Sequence, residues 1–372
     1  MSSTSKPILL DEKTLVIDLE DEYLTLSTAG CPKAYSYVRY IVFRTVPKNF
    51  GFVNLDSYCK ELTNSIGLDY EKTTVFLTAV NVSTYSHSVY IYNNVKAEAY
   101  VTFGVDKPSC ISIISNSGKN AIRSVGTINV AIIVDKPLDL VGLLDLFRFA
   151  AEVKGAIMAL GGPTCVSGAS IGTASDALAV AAPKGVDKFA GIATPVGIAS
   201  ALALTNALSK QLKNISSGSY IAKSLGFKDL NEIVKIIMKV YAKAKIPQMS
   251  DETIKAEIEN ELSTIINDPN VGMFVRGFRL LEAALALGIV PVINIDEYIS
   301  DSPGIIVDEL AGKALAEYIN GFKGLLAYYW VERLKEIGEV KEIRALPPIT
   351  DDLVAALVGG ILSKIYDKYS RS

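Results

Sequence analysis

The chain has 372 residues, with 37 Lys plus Arg against 40 Asp plus Glu and a net charge of −3. Its length suggests two domains, and its balanced charge leaves no electrostatic footprint for nucleic acid. A single histidine, His87, excludes multi-histidine zinc sites and H-E-x-x-H or R-H-G chemistry, and the four cysteines (Cys31, Cys59, Cys110, Cys165) are scattered without paired spacing, which argues against a disulfide framework or structural zinc and fits a reducing cytoplasm.

In chain order, the start "MSSTSKPILLDEKTLVIDLEDE" lacks the basic-then-apolar order of a secretory signal. Strands are then expected at "TLVIDL", "YLTLST", "YVRYIVFRTV", "TVFLTAVNV", "HSVYIYN", "AEAYVTFGV", "INVAIIVD" and "ALAVAA", all rich in Val, Ile, Tyr and Thr. Asn93-Asn94 suggests a hairpin turn. His87, on one of these strands, reads as structural rather than as part of a Ser-His-Asp triad. Helical spacing marks 137–160, opened by Pro137, and about 196–212. Strands come mostly first and helices late, so an α+β layered sheet domain is expected over 1–215. Two uncharged runs, 155–175 and 189–209, reach spanning length. Gly, Ser, Thr, Pro163 and Pro195 dilute them, so they read as buried parts of a soluble core.

"KNISSGSY", 213–220, is a polar joint between domains. Beyond it the strand pattern stops. "DLNEIVKIIMKVYAKAK", "SDETIKAEIENELSTII", "VGMFVRGFRLLEAALALG", "IIVDELAGKALAEYING" and "DDLVAALVGGILSKIYDKY" are helical, giving an all-α domain over 221–372.

Two acid-bearing helix starts lie in this second domain. Asp351 and Asp352 head a segment uncharged until Lys364, with Thr350 placed to cap it. Ala356, Gly359 and Gly360 form a smooth patch that lets another backbone come close. Asp308 aligns with Ala311, Gly312 and Leu315 on an apolar face, where a carboxylate needs a cation or strong donors. Glu309, Lys313 and Glu317 read as a solvated stripe. These acids are either plain caps or an oxygen-ligand cage for Mg²⁺.

"DSPGIIVDELAG", "ALAEYINGFKG", "INDPNVG" and "LPPITDDLVAALVGGILSKIY" resemble the archaeal branch of the phosphatidylglycerophosphatase A family, over roughly 225–370. That branch includes an α-ribazole-phosphate phosphatase. The resemblance implies an all-α, Mg²⁺-dependent phosphatase with metal ligands at Asp308, Glu309, Asp351 and Asp352. It gives Asp308 and Asp351 catalytic roles and makes Glu317 and Asn270 weaker matches. The family's Arg with a following Lys-Pro survives only as Arg333, so Lys335, Lys341 and Arg344 compete with it as the phosphate-binding cation.

In the first domain, "LSTAG", "FLTAVNV", "VTFGV", "GTINVAIIVD", "AAEVKGAIMAL" and "GASIGTASDALAVA" gather Thr, Ser and Gly at strand ends, where loops can surround a ligand. Glu152 and Asp176 stand within mostly apolar surroundings, and no phosphate-binding glycine motif is present. The order S-T-A, L-T-A, G-T-I-N, E-x-K and G-T-x-x-D resembles the adenosylcobinamide amidohydrolase family over about 20–212. "FRTVP", 43–47, departs from it by lacking an Asn near the Val-Pro. The resemblance implies hydrolysis of the amide joining aminopropanol to the corrin ring, giving adenosylcobyric acid. The corrinoid is then substrate, and no tightly bound cofactor is expected.

Amide hydrolysis needs a nucleophile, a proton shuttle and oxyanion donors. The base falls to Asp176 or Glu152, or to a desolvated Lys154. The nucleophile is water or a hydroxyl of Ser27, Thr28 or Thr173, and Gly172, Thr173 and Thr127 can supply donors. Thr78, Thr102, Gly104 and Asn129 join Ser27, Thr127 and Gly172 as expected substrate contacts. The expected partners are adenosylcobinamide and α-ribazole phosphate, with a homo-oligomer left open. The rival readings are a corrinoid-binding protein with inactive domains and a C-terminal domain acting on a lipid phosphate.

Overall fold

The computed structural model describes residues 5–48, 50–51, 54–105, 108–111, 126–163, 165, 168–247 and 249–369. They divide into two compact units. One runs to Asn214, and the other takes Ile215 onward with short segments around Cys110 and Cys165.

The first unit is built on an eight-stranded mixed sheet. Its strands are Lys6–Asp11 (β1), Thr14–Ser27 (β2), Tyr35–Thr45 (β3), Thr73–Thr78 (β4), Ser86–Tyr92 (β5), Val95–Gly104 (β6), Thr127–Val134 (β8) and Ala177–Ala182 (β10). Ser109–Ile111 (β7) and Ala169–Gly172 (β9) form a separate two-stranded ribbon. The sheet order is β4-β3-β2-β10-β8-β6-β5, with β1 on β2. β10 runs parallel to β8 and β4 parallel to β3, and the other pairs are antiparallel.

Alternation along β8 supplies both faces. Ile128, Val130, Ile132 and Val134 meet one core cluster, which also holds Leu143, Leu146, Ala199 and Ala203 from two helices, Leu140–Gly161 (α2) and Pro195–Lys213 (α3). Ala131 and Ile133 meet a second cluster with Tyr100 and Ala179. Leu15, Ile17, Phe43 and Phe76 join that second cluster, so the β1–β4 end of the sheet curls over its own middle. The bend lies in β2, where the register against β3 shifts between Asp18 and Tyr23 and Glu20 has φ 64°. The charges of Asp18 to Glu22 made this one strand read as two. A third cluster packs Leu55–Ser65 (α1), through Cys59 and Leu62, on Val16, Val42 and Val75.

The second unit is helical as expected: Ser217–Ser224 (α4), Leu230–Tyr241 (α5), Asp251–Ile266 (α6), Pro269–Ala286 (α7), Ile295–Ile299 (α8), Val307–Glu336 (α9), Lys341–Arg344 (α10) and Pro348–Tyr369 (α11). The polar joint is itself partly helical, since Ser216 caps α4. α11 is buried almost continuously from Ile349 to Ser363, so it is the central helix. The smooth patch works as its residue types suggest. A β-carbon on Gly359 would stand 2.6 Å from the Tyr328 backbone nitrogen, and one on Gly360 would stand 2.7 Å from Ile319 Cγ2, so α9, which is broken at Asn320 and Gly321, meets α11 with side chain before the break and with backbone after it.

Two expectations are corrected. All four cysteines are paired, Cys31 with Cys59 and Cys110 with Cys165. The partners lie 28 and 55 residues apart, so no local spacing announced them, and the cysteines no longer argue for a reducing compartment. Thr350 does not cap α11, which begins at Pro348; the Asp351 N–H donates to Pro347 O at 2.9 Å. Among the described residues no helix is long and apolar enough to cross a membrane. Thr164, Val166 and Ser167 of the first uncharged run lie outside those residues.

Candidate functional site

At one end of the first unit's sheet, where β8 and β10 begin, the E-x-K and G-T-x-x-D stretches meet. α2 starts at an Asp139 cap on the Gly142 N–H (2.8 Å) and carries Lys154 on its third turn from the C-terminal end. Lys154 Nζ is paired with Asp176 Oδ2, which also accepts the Thr173 N–H at 3.0 Å. Asp176 Oδ1 accepts the Ile128 N–H at 2.9 Å and contacts Thr173 Oγ1, and that hydroxyl donates to Gly126 O at 2.7 Å. Both ionic side chains are mostly buried, 15% exposed for Lys154 and 11% for Asp176. Gly172, at φ +141°, makes room for the pair: a β-carbon there would overlap Asp176 Oδ2 and lie 3.0 Å from Lys154 Nζ.

The surrounding hydroxyls are largely committed to backbone. Thr28 Oγ1 accepts the Leu178 N–H at 3.0 Å, and Ser27 Oγ accepts the Ala29 N–H at 3.0 Å. Thr127 Oγ1 and Ser175 Oγ are 2.9 Å apart, and Ser175 also reaches Gly126 O at 2.8 Å. Asn129 and Thr102 are cross-strand neighbours, both buried. Asn129 donates to Leu77 O at 3.1 Å, tying β8 to β4, while among the described residues its Oδ1 and Thr102 Oγ1 have no hydrogen-bond partner. Thr78 Oγ1 accepts the Val80 N–H at 3.1 Å, and Val80 packs where a side chain on Gly104 would go.

Glu152 does not join this cluster. It is exposed rather than set in apolar surroundings, and it pairs with Arg148, which also binds Asp145 at 2.7 Å. Two residues of helix separate it from Lys154 by about 200°, which turns it away. His87 is structural, as expected: it bonds buried Glu98 at 3.1 Å and stacks on Tyr100 with ring centres 4.1 Å apart. Glu98 also accepts from Ser5 at 2.7 Å.

In the second unit the acids of the two helix starts converge. Ligand oxygens of Asp308, Glu309 and Asp352 lie within 4.8 Å of one another, as do those of Glu332, Asp351 and Asp352. Lys335 occupies the second group, 2.6 Å from Glu332, 2.8 Å from Asp351 and 3.2 Å from Asp352. Burial opposes charge on Lys335, but Asp351, Glu332 and Asp352 outweigh it and hold the ammonium well above the ordinary lysine range. In the first group Lys335 reaches only Asp352, and among the described residues no cation pairs with Asp308 or Glu309. Asp308 is 3% exposed, accepts the Glu309 N–H at 3.1 Å, and is pushed up to about 6 by burial, then by Glu309. Burial also pushes Glu332 up to about 7, and among the described residues its Oε1 has no hydrogen-bond partner.

Of the four candidate cations only Lys335 meets the acids; Arg333, Lys341 and Arg344 are exposed. Asn270 is exposed and tied to Tyr318 OH at 2.9 Å, and Glu317 is exposed in the solvated stripe. Sequence reasoning missed Glu332, three residues before Lys335 on α9, although that i,i+3 acid–base spacing was visible. It also missed a buried clamp. Glu282 accepts the Thr350 N–H at 3.2 Å and Tyr298 OH at 2.7 Å, and it pairs with Arg279, whose Nε donates to Ser224 O at 2.7 Å. Burial pulls the Arg279 guanidinium down to about 10. Tyr298 OH in turn receives the Ile349 N–H at 3.4 Å, so α7 and α8 supply the cap that α11 lacks.

No curated protein matches the chain. Among solved structures, the low temperature requirement C protein from Listeria monocytogenes is 14% identical, with 42% of this chain and 98% of that one covered and a TM-score of 0.33. The PH0078 protein from Pyrococcus horikoshii OT3 is 12% identical over 55% of this chain and 82% of that one, with a TM-score of 0.27. The sequence profile of adenosylcobinamide amidohydrolase matches residues 3–218. That span exceeds half of the chain and contains the whole Lys154–Gly172–Thr173–Asp176 cluster: the chain belongs to the adenosylcobinamide amidohydrolase family.

Proposed function

We propose that the chain serves cobamide salvage with two activities. Its N-terminal domain hydrolyses the aminopropanol amide of adenosylcobinamide to adenosylcobyric acid at the Lys154–Asp176 end of the sheet. Its C-terminal domain dephosphorylates α-ribazole phosphate with Mg²⁺. The observation that carries the first activity is the family match over 3–218, together with the convergence of two distant stretches on one buried ion pair. Incubation of the full chain with adenosylcobinamide, followed by mass spectrometry for free aminopropanol, tests it. Retained corrinoid binding without release would favour a binding protein instead.

The second activity rests on the acids. Mg²⁺ binds through a few carboxylates plus substrate phosphates. Asp308, Glu309 and Asp352 fit that donor set, because they are close together, two are buried, and among the described residues no ammonium pairs with Asp308 or Glu309, while Lys335 reaches only Asp352, at 3.2 Å. The Glu332–Asp351–Asp352 group already holds Lys335, so Asp351 acts beside the metal as the partner of that lysine. Bound there, Mg²⁺ would offset phosphate charge and polarise its P–O bonds. Lys335 gives Asp351 and Asp352 fixed orientations and is the candidate cation for a phosphate oxygen.

Phosphate release from α-ribazole phosphate is expected to need Mg²⁺ and to fall by at least about a hundredfold in Asp352→Asn, the range for losing a group that stabilises transition-state charge. Faster release from phosphatidylglycerophosphate would assign the domain to lipids. An unchanged rate in Asp352→Asn would leave the acids as helix-start residues only.

A further inference from the structure

Among the described residues, the hydrogen bonds around Asp176 point to a different division of roles in the amide-hydrolysing cluster. A carboxylate offers roughly four lone-pair positions. On Asp176 they face Lys154 Nζ and the Thr173 N–H at Oδ2, and the Ile128 N–H and Thr173 Oγ1 at Oδ1. Donors fill three of these positions, and Thr173 Oγ1, whose single hydrogen goes to either Gly126 O or Asp176 Oδ1, covers the fourth, so among the described residues none is left uncovered for an attacking water. The candidate hydroxyl nucleophiles are similarly engaged. Thr173 Oγ1 donates to Gly126 O, Thr28 Oγ1 accepts the Leu178 N–H, and Ser27 Oγ accepts the Ala29 N–H. Lys154 differs. Its ammonium has three hydrogens, and among the described residues Asp176 is its one hydrogen-bond partner. Its side chain is 15% exposed, so a ligand can reach it while most of its stem stays out of water. Gly172, by lacking a β-carbon, lets Asp176 Oδ2 sit against its backbone and hold Lys154 Nζ in place.

We infer that Lys154 is the catalytic residue that holds the carbonyl oxygen of the scissile amide, and that Asp176 is a positioning residue that aims it rather than the general base. This rests on the amidohydrolase reading. In the reaction, water oxygen forms the new C–O bond and the C–N bond to aminopropanol breaks. Both protons of the water end on the departing nitrogen, giving a carboxylate and an ammonium. Lys154 keeps its own protons throughout and donates to the oxygen that turns negative, where a preformed donor in a partly water-excluded site is most effective. Thr173 and Ile128 act by fixing Asp176.

Aminopropanol release from adenosylcobinamide by the full chain tests the assignment, with kcat and KM measured separately and melting curves confirming that each variant folds. Lys154→Ala is expected to lose about 10²–10³ in kcat with little change in KM. Added methylammonium chloride should restore part of that loss in proportion to its concentration, which a purely structural lysine would not permit. Asp176→Asn should lose less than Lys154→Ala, because the ammonium remains. Should Lys154→Ala fail to fold, Lys154→Arg carries the test: it is expected to retain measurable turnover because a guanidinium still donates. A folded Lys154→Ala that methylammonium does not rescue, a larger loss in Asp176→Asn than in Lys154→Ala, or a folded Lys154→Arg without turnover overturns the assignment. A wild-type chain that releases no aminopropanol overturns the amidohydrolase reading itself, and the assignment with it.

Discussion

A β-carbon on Gly172 would overlap the Asp176 carboxylate at a backbone φ of +141°, a conformation that residues with side chains rarely adopt. Gly172→Ala is therefore expected to cost about 1–3 kcal/mol of stability and to separate Lys154 from Asp176. Urea unfolding together with aminopropanol release would register both effects, and a variant with wild-type values in each would mean that the pair does not depend on this glycine. Asp308 makes the opposite case. Among the described residues it is buried without a cation, so Asp308→Asn should stabilise the metal-free protein in EDTA, by about 1–3 kcal/mol, because an uncompensated buried charge is costly. The same variant should lose any Mg²⁺-induced rise in melting temperature. A lower EDTA stability would show that the Asp308 charge already has a compensating partner. At this scale the sequence was informative where motif order carried the signal, as in E-x-K and G-T-x-x-D. It misjudged Glu152 because apolar neighbours along the chain do not fix which side of a helix faces inward.

Helix α11 illustrates what element-level reading could and could not reach. Its all-round apolar composition marked it as interior, and Gly359 and Gly360 marked a close crossing, which α9 makes. Gly359→Val would wedge the two backbones apart and is expected to cost about 3 kcal/mol, the upper part of the range for overpacked cores. Chemical denaturation measures it, and a loss under about 0.5 kcal/mol, the scale of a surface change, would contradict the contact. Its cap was not legible, because the groups that satisfy its first turn, Glu282 and Tyr298, are 68 and 51 residues away. β1 and α1 were missed for related reasons. β1 is exposed along its whole length and is defined by pairing with β2, while α1 is 11 residues of mixed composition held by Cys59 and Leu62.

For the whole molecule, the division into a strand-rich half and a helical half followed from a change in hydrophobic period after the first 215 residues. The curl of the sheet and the two disulfides did not follow, because both depend on partners far apart in sequence. The two candidate sites share no residue, so the activities should separate genetically. Lys154→Ala should cut aminopropanol release by about 10²–10³ and keep phosphate release, and Asp352→Asn should cut phosphate release by at least about a hundredfold and keep aminopropanol release. Loss of both activities in either folded variant would contradict independent sites. The most direct test of the central claim is to mix the purified full chain with adenosylcobinamide and quantify both products. Adenosylcobyric acid and aminopropanol appearing in equal amounts is the result expected of an amidohydrolase. Unchanged adenosylcobinamide that nevertheless binds the protein would contradict it.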